Sequence, residues 1–168
     1  MHIRDQEIAR LQKYAESLGL RVSWRKHKRG DPGALWINHE DCQELVMYTW
    51  ARQSKTMIIL NLLHELSHHL AFVYNNRSLP KSVDRAFTTE TEDLTENQRR
   101  IIYETEKEDS KYRLIIAHEL DLKIPKWRIE LDIELDTWSY YCFWKEGKHP
   151  TIREYDDKKR ELLSLFKN

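Results

Sequence analysis

Apolar residues recur every three or four positions over residues 3–18, and Gly19 follows them. This spacing predicts an amphipathic helix that ends at the glycine. Three short stretches rich in β-prone residues come next, at 20–24, 34–37 and 45–50. They predict a small, mostly antiparallel sheet. Residues 55–74 contain no glycine or proline, and the chain is apolar on nearly every side from Met57 to Val73, which predicts a buried central helix.

The stretch after this helix is polar over residues 75–97 and contains Pro80. Such a length without apolar periodicity predicts a long loop, which is a candidate for a lid. Helical spacing resumes over residues 98–121. We expect a break in the helical structure at Ile124–Pro125, because a proline disfavours helical backbone at the residue before it.

The segment 127–136 fits two structures, since its apolar residues alternate with acids as in a strand but also form a helical stripe from Trp127 to Cys142. Aspartate and glutamate are poor strand formers, so we expect a helix. Gly147 is its predicted end. Thr151 and Glu154 have the spacing of a capping box, which predicts a last helix to about residue 166.

Composition limits the class of protein. The chain has 168 residues with 28 basic and 28 acidic side chains. This length favours one domain with at most a small appendage, which buries enough surface to fold without a disulfide or a metal. The balanced charge argues against a general nucleic-acid or membrane binder. Cys42 and Cys142 form no paired motif and the first residues show no secretory signal, so we expect a soluble cytoplasmic protein.

The predicted central helix carries the sequence His64-Glu65-Leu66-Ser67-His68, an H-E-x-x-H pattern. Two histidines four residues apart lie on one helix face, where both imidazoles can bind a single zinc ion. Glu65 projects about 100° away from His64, so its carboxylate lies near the ion without being a ligand. It can act as the general base on a water that zinc has acidified, and then as the general acid.

A catalytic zinc site needs a third protein ligand and an open position for water. The acidic candidates on the next predicted helix are Glu104, Glu106, Glu108 and Asp109. We take the core face of that helix to be marked by Ile101, Tyr112 and Ile115. Glu108 lies at the centre of this face and Glu104 shares it, whereas Glu106 lies to the side. Glu108 is therefore the predicted third ligand, with Glu104 as the alternative, and His118 is a weaker candidate.

The pentad and the run Glu106-Lys107-Glu108 with Tyr112 resemble the zincin peptidases with a glutamate third ligand, in particular the ImmA/IrrE-like family. The helix after the active helix in that family reads approximately E-x-E-A-x-x-F-A. The resemblance again assigns the third ligand to Glu108. It also implies a cytoplasmic regulator, of a phage or mobile element, that cleaves a transcriptional repressor.

The sequence therefore predicts an α+β, zincin-like fold, in which a small sheet packs on the H-E-x-x-H helix. Residues 1–124 form the metallopeptidase domain, and residues 125–168 form a helical extension packed on the same domain. The predicted function is zinc-dependent hydrolysis of a peptide bond in a protein substrate, with His64, His68 and Glu108 as ligands and Glu65 as catalytic residue. The alternatives are a zincin that acts on DNA-bound proteins and a non-catalytic zinc-binding interaction protein.

Overall fold

The computed structural model describes residues 3–28, 33–38, 43–50, 53–74 and 94–166. In chain order the elements are α1 (Ile3–Ser17), β1 (Leu20–Lys26), β2 (Ala34–Asn38), β3 (Gln43–Thr49), α2 (Lys55–Tyr74), α3 (Glu96–Asp109), α4 (Tyr112–Glu119), α5 (Lys126–Glu146) and α6 (Ile152–Leu165). The chain is α+β, as predicted. It divides into two compact units, Met1–Leu70 with Tyr112–Ile124 and Ala71–Lys111 with Pro125–Asn168. The predicted division at 124/125 into a peptidase domain and an extension stays a prediction.

The sheet of the first unit has three strands in the order β1-β3-β2. β3 is parallel to β1 and antiparallel to β2, so the sheet is mixed rather than mostly antiparallel. The reason lies in β3, where the consecutive residues Leu45, Val46 and Met47 have no solvent exposure. A strand that is apolar on both faces is covered best at the centre of a sheet, and β2 is therefore placed at an edge.

The first unit has an apolar core to which both α1 and α2 contribute. Leu11 of α1 and Leu62, Leu63 and Leu66 of α2 are fully buried. The buried carboxylate of Glu7 in α1 accepts a hydrogen bond of 2.6 Å from the backbone N–H of Lys123. The helix α1 is thus joined to the segment that follows α4 by a charge-assisted hydrogen bond, which is stronger than a neutral one.

The second unit is helical in its described part. Leu94, Ile102 of α3 and Phe143 of α5 form one buried cluster. A second cluster joins α5 to α6 and consists of Leu131, Leu135 and Leu162. The α5 helix ends at Gly147, whose φ of 74° is the left-handed conformation that favours glycine.

Several predicted elements are confirmed. They are the first helix, the three strands, the buried helix 55–74, the break at Pro125, the helix preferred over a strand at 127–136, and the Thr151–Glu154 capping box. The single helix over 98–121 is wrong, because α3 ends at Asp109 and a separate helix begins at Tyr112. Most of the loop and lid predicted at 75–97 falls outside the described residues, while its last part is the Thr95 cap and the start of α3. No helix in the described ranges is long and apolar enough to cross a membrane.

Candidate metal centre

The two histidines of the pentad face each other on α2. Their Nε2 atoms are 3.0 Å apart, and their ring centroids are 4.7 Å apart. The four-residue separation on an uninterrupted helix accounts for this pairing. Both rings are half-buried, while the neighbouring Leu63 and Leu66 are fully buried and anchor the helix.

A carboxylate completes a group of three candidate ligands. One ligand atom from each of His64, His68 and Glu106 lies within 4.8 Å of the other two. The donor set fits zinc, which takes histidine nitrogen and carboxylate oxygen. Two nitrogens bound to one tetrahedral zinc at about 2.0–2.1 Å are about 3.3 Å apart, close to the separation of the two Nε2 atoms. The three residues thus form a candidate metal site, and Glu106 is 5 % exposed.

The structure does not bring Glu108 or Glu104 into this group; both side chains are exposed. The buried positions of α3 are Ile102, Glu106 and Asp109. The predicted core face was set by Ile101 together with Tyr112 and Ile115, which belong to α4. Because α3 and α4 are separate helices, residues of one do not define the face of the other. It is Glu106, rather than Glu108, that belongs to the three-residue group.

Glu65 lies on α2 directly after His64 and is 8 % exposed. It lies next to the candidate ligand His64. In the H-E-x-x-H pattern this is the position of the carboxylate that is predicted to transfer protons. The following turn carries His69, which is also buried, and burial lowers the pKa of its imidazole. Within the five residues 65–69, α2 therefore buries three polar side chains, those of Glu65, Ser67 and His69.

Arg113 of α4 is a site residue that the sequence analysis missed. It is 1 % exposed, and its Nη2 donates a hydrogen bond to Nδ1 of His64. The signal available in the sequence was an arginine inside the apolar run Tyr112–Ala117. Long charged residues are rarely fully buried without a specific partner, so an arginine there points to a polar site.

His149 is not part of the three-residue group, although the charge of Glu106 acts on it. It follows α5, stacks on Phe143 at 4.7 Å and shares a 3.0 Å hydrogen bond with Ser139. His149 is exposed at the surface, but partial desolvation of its ring lowers its pKa, and the negative charge of Glu106 raises it in part. The carboxylate of Glu106 therefore acts electrostatically on this imidazole. His118 is likewise exposed, on α4, and is not part of the three-residue group.

No known protein family, curated protein or solved structure matches this chain. The resemblance to the ImmA/IrrE-like zincins thus rests on the quoted residues and on the candidate metal site alone.

Proposed function

We propose that the protein is a zinc-dependent metallopeptidase. The observation that carries this proposal is the convergence of His64, His68 and Glu106 on one point. Three protein ligands are the number typical of catalytic zinc sites, whereas structural sites use four. The half-buried state of both histidines supports a site that keeps contact with solvent.

The proposed reaction uses Glu65 for proton transfer. When bound, zinc supplies a Lewis acid that polarises a carbonyl oxygen and acidifies water. Glu65 takes the proton of the attacking water and delivers it to the leaving amine. Glu65 directly follows His64 on α2, and this position would bring its carboxylate near an ion held by the two histidines. His64, His68 and Glu106 would hold the ion and would take no part in the proton transfers.

We propose a protein or peptide substrate that binds in an extended conformation. The sheet order makes β1 and β2 the edge strands of the described sheet. An extended peptide can add to such an edge through backbone hydrogen bonds. The resemblance to the ImmA/IrrE-like family suggests a cytoplasmic transcriptional repressor as this substrate.

The metal site is tested by zinc content and affinity in matched variants. Glu106→Ala removes a ligand and should weaken zinc binding by more than the roughly 10–100-fold that follows when a ligand loses its hydrogen-bond partner. Glu108→Ala is the matched control two positions along α3, and it should bind zinc like the wild type. Equal zinc binding by wild type and Glu106→Ala, or a loss confined to Glu108→Ala, would refute the assignment.

The role of Glu65 is tested separately from the metal. Glu65→Gln keeps the size of the side chain but removes its ability to accept a proton, so it should retain zinc and lose about 10²–10⁴-fold in peptide hydrolysis. Cleavage of a defined peptide library, followed by mass spectrometry, measures the rate, and Glu104→Gln serves as a control on an exposed helix face. Wild-type activity in Glu65→Gln excludes this residue as the base.

A further inference from the structure

The hydrogen bond between Arg113 and His64 has the wrong polarity for a metal-bound histidine. A guanidinium has N–H donors and no acceptor, so Nδ1 of His64 must accept this bond. A neutral imidazole that accepts at Nδ1 carries its hydrogen on Nε2. In His64 that hydrogen points to Nε2 of His68, which lies 3.0 Å away.

Binding of an ion requires the opposite arrangement. A histidine that binds metal through Nε2 carries its hydrogen on Nδ1 and donates it to a carboxylate, a carbonyl or a water. In this protein the Nδ1 hydrogen would face the N–H groups of Arg113, so that two donors would oppose each other. The guanidinium also brings a positive charge, largely shielded from solvent, next to a ligand of a divalent cation.

We propose that Arg113 is a competitor of the metal: its hydrogen bond to Nδ1 keeps the hydrogen of the His64 ring on Nε2, and an ion binds at Nε2 only when that hydrogen bond breaks. This inference rests on the proposed metal site and adds a control of its loading. Arg113 is a positioning residue here, since it acts on the ion through His64. Any contact that draws the guanidinium away from His64 would raise the metal affinity.

The first test measures zinc affinity by competition with a chromophoric chelator. Arg113→Gln removes the charge and offers a carbonyl oxygen that can accept from Nδ1, so zinc should bind on the order of 10–100-fold more tightly. Arg113→Lys keeps both the charge and the donors, so its affinity should stay close to that of the wild type. Arg160→Gln, which changes an exposed arginine of α6, is the control for net charge.

The outcomes separate the two proposals. If neither wild type nor any Arg113 variant binds zinc, the metal site itself is refuted. If the wild type binds zinc and Arg113→Gln binds it equally or more weakly, the metal site stands and the competitor role is overturned. A purely structural role for Arg113 would lower the thermal stability of the metal-free protein without raising zinc affinity.

A second measurement needs no variant and applies even if Arg113→Gln does not fold. Nitrogen-15 NMR of the histidine rings distinguishes hydrogen on Nε2 from hydrogen on Nδ1. Metal-free wild type should show His64 with hydrogen on Nε2, and addition of zinc should move it to Nδ1. Hydrogen on Nδ1 in the metal-free protein would overturn the inference.

Discussion

Glu44 shows how one charged residue stabilises strand pairing in the first unit. This carboxylate of β3 accepts a 2.7 Å hydrogen bond from Ser23 and lies 3.2 Å from the guanidinium of Arg21, both on β1. Its side chain is 6 % exposed. The Ser23 hydrogen bond is the largest cause that lowers the pKa of Glu44, and Arg21 and Arg25 lower it further against the opposing effect of burial. The charge of Glu44 therefore adds side-chain interactions to the backbone pairing of β1 with β3.

The acid stability of the protein should reflect this carboxylate. Because the pKa of Glu44 is lower in the folded state, its contribution is complete above the ordinary glutamate pKa of about 4.3 and is lost as pH falls through the folded pKa. Glu44→Gln should cost about 1–3 kcal/mol of unfolding free energy at pH 7 and much less at pH 3. Urea unfolding at both pH values measures this. The exposed Glu104→Gln control should change little, and an equal loss at both pH values would contradict the electrostatic explanation.

At the level of elements, the break between α3 and α4 explains why the sequence pattern pointed to Glu108, whereas the candidate group contains Glu106. Ser110 caps α3, with its backbone N–H bonded to the carbonyl of Glu106 and its hydroxyl to that of Lys107. No glycine or proline marks this end, so periodicity alone continues the helix through it. The His64–His68 pair was predictable because it depends only on local spacing, whereas the buried face of α3 depends on tertiary packing.

The capping box of α6 gives a prediction about a single helix end. Thr151 accepts a hydrogen bond from the backbone N–H of Glu154, whose carboxylate accepts one of 2.7 Å from the N–H of Thr151. Thr151→Ala should lower the unfolding free energy by about 1 kcal/mol, because it leaves a helix N–H without its acceptor. Thr151→Ser keeps the hydroxyl and should stay close to wild type. Urea titration followed by circular dichroism compares the three proteins, and equal losses in both variants would argue against the cap.

At the scale of the whole molecule, the types of the elements were predictable and the order of the strands was not. The alternation in β1 and the apolar run in β3 identify strands from local pattern. Whether β2 or β3 lies in the middle depends on which strand is covered on both faces, which involves residues distant in sequence. The same dependence on distant residues applies to the candidate metal site, since its histidines lie on α2 and Glu106 lies on α3.

Zinc should therefore stabilise the folded protein as a whole. An ion that binds the native chain and not the unfolded one adds about 2.7 kcal/mol at a free concentration 100 times its Kd, or about 5–10 °C in the midpoint of thermal unfolding for a chain of this size. Differential scanning fluorimetry with buffered zinc measures the shift, and excess chelator should reverse it. Glu106→Ala should lose the shift and Glu108→Ala should keep it. An equal shift in Glu106→Ala would mean that zinc binds elsewhere, because the ligand set His64, His68 and Glu106 is then incomplete.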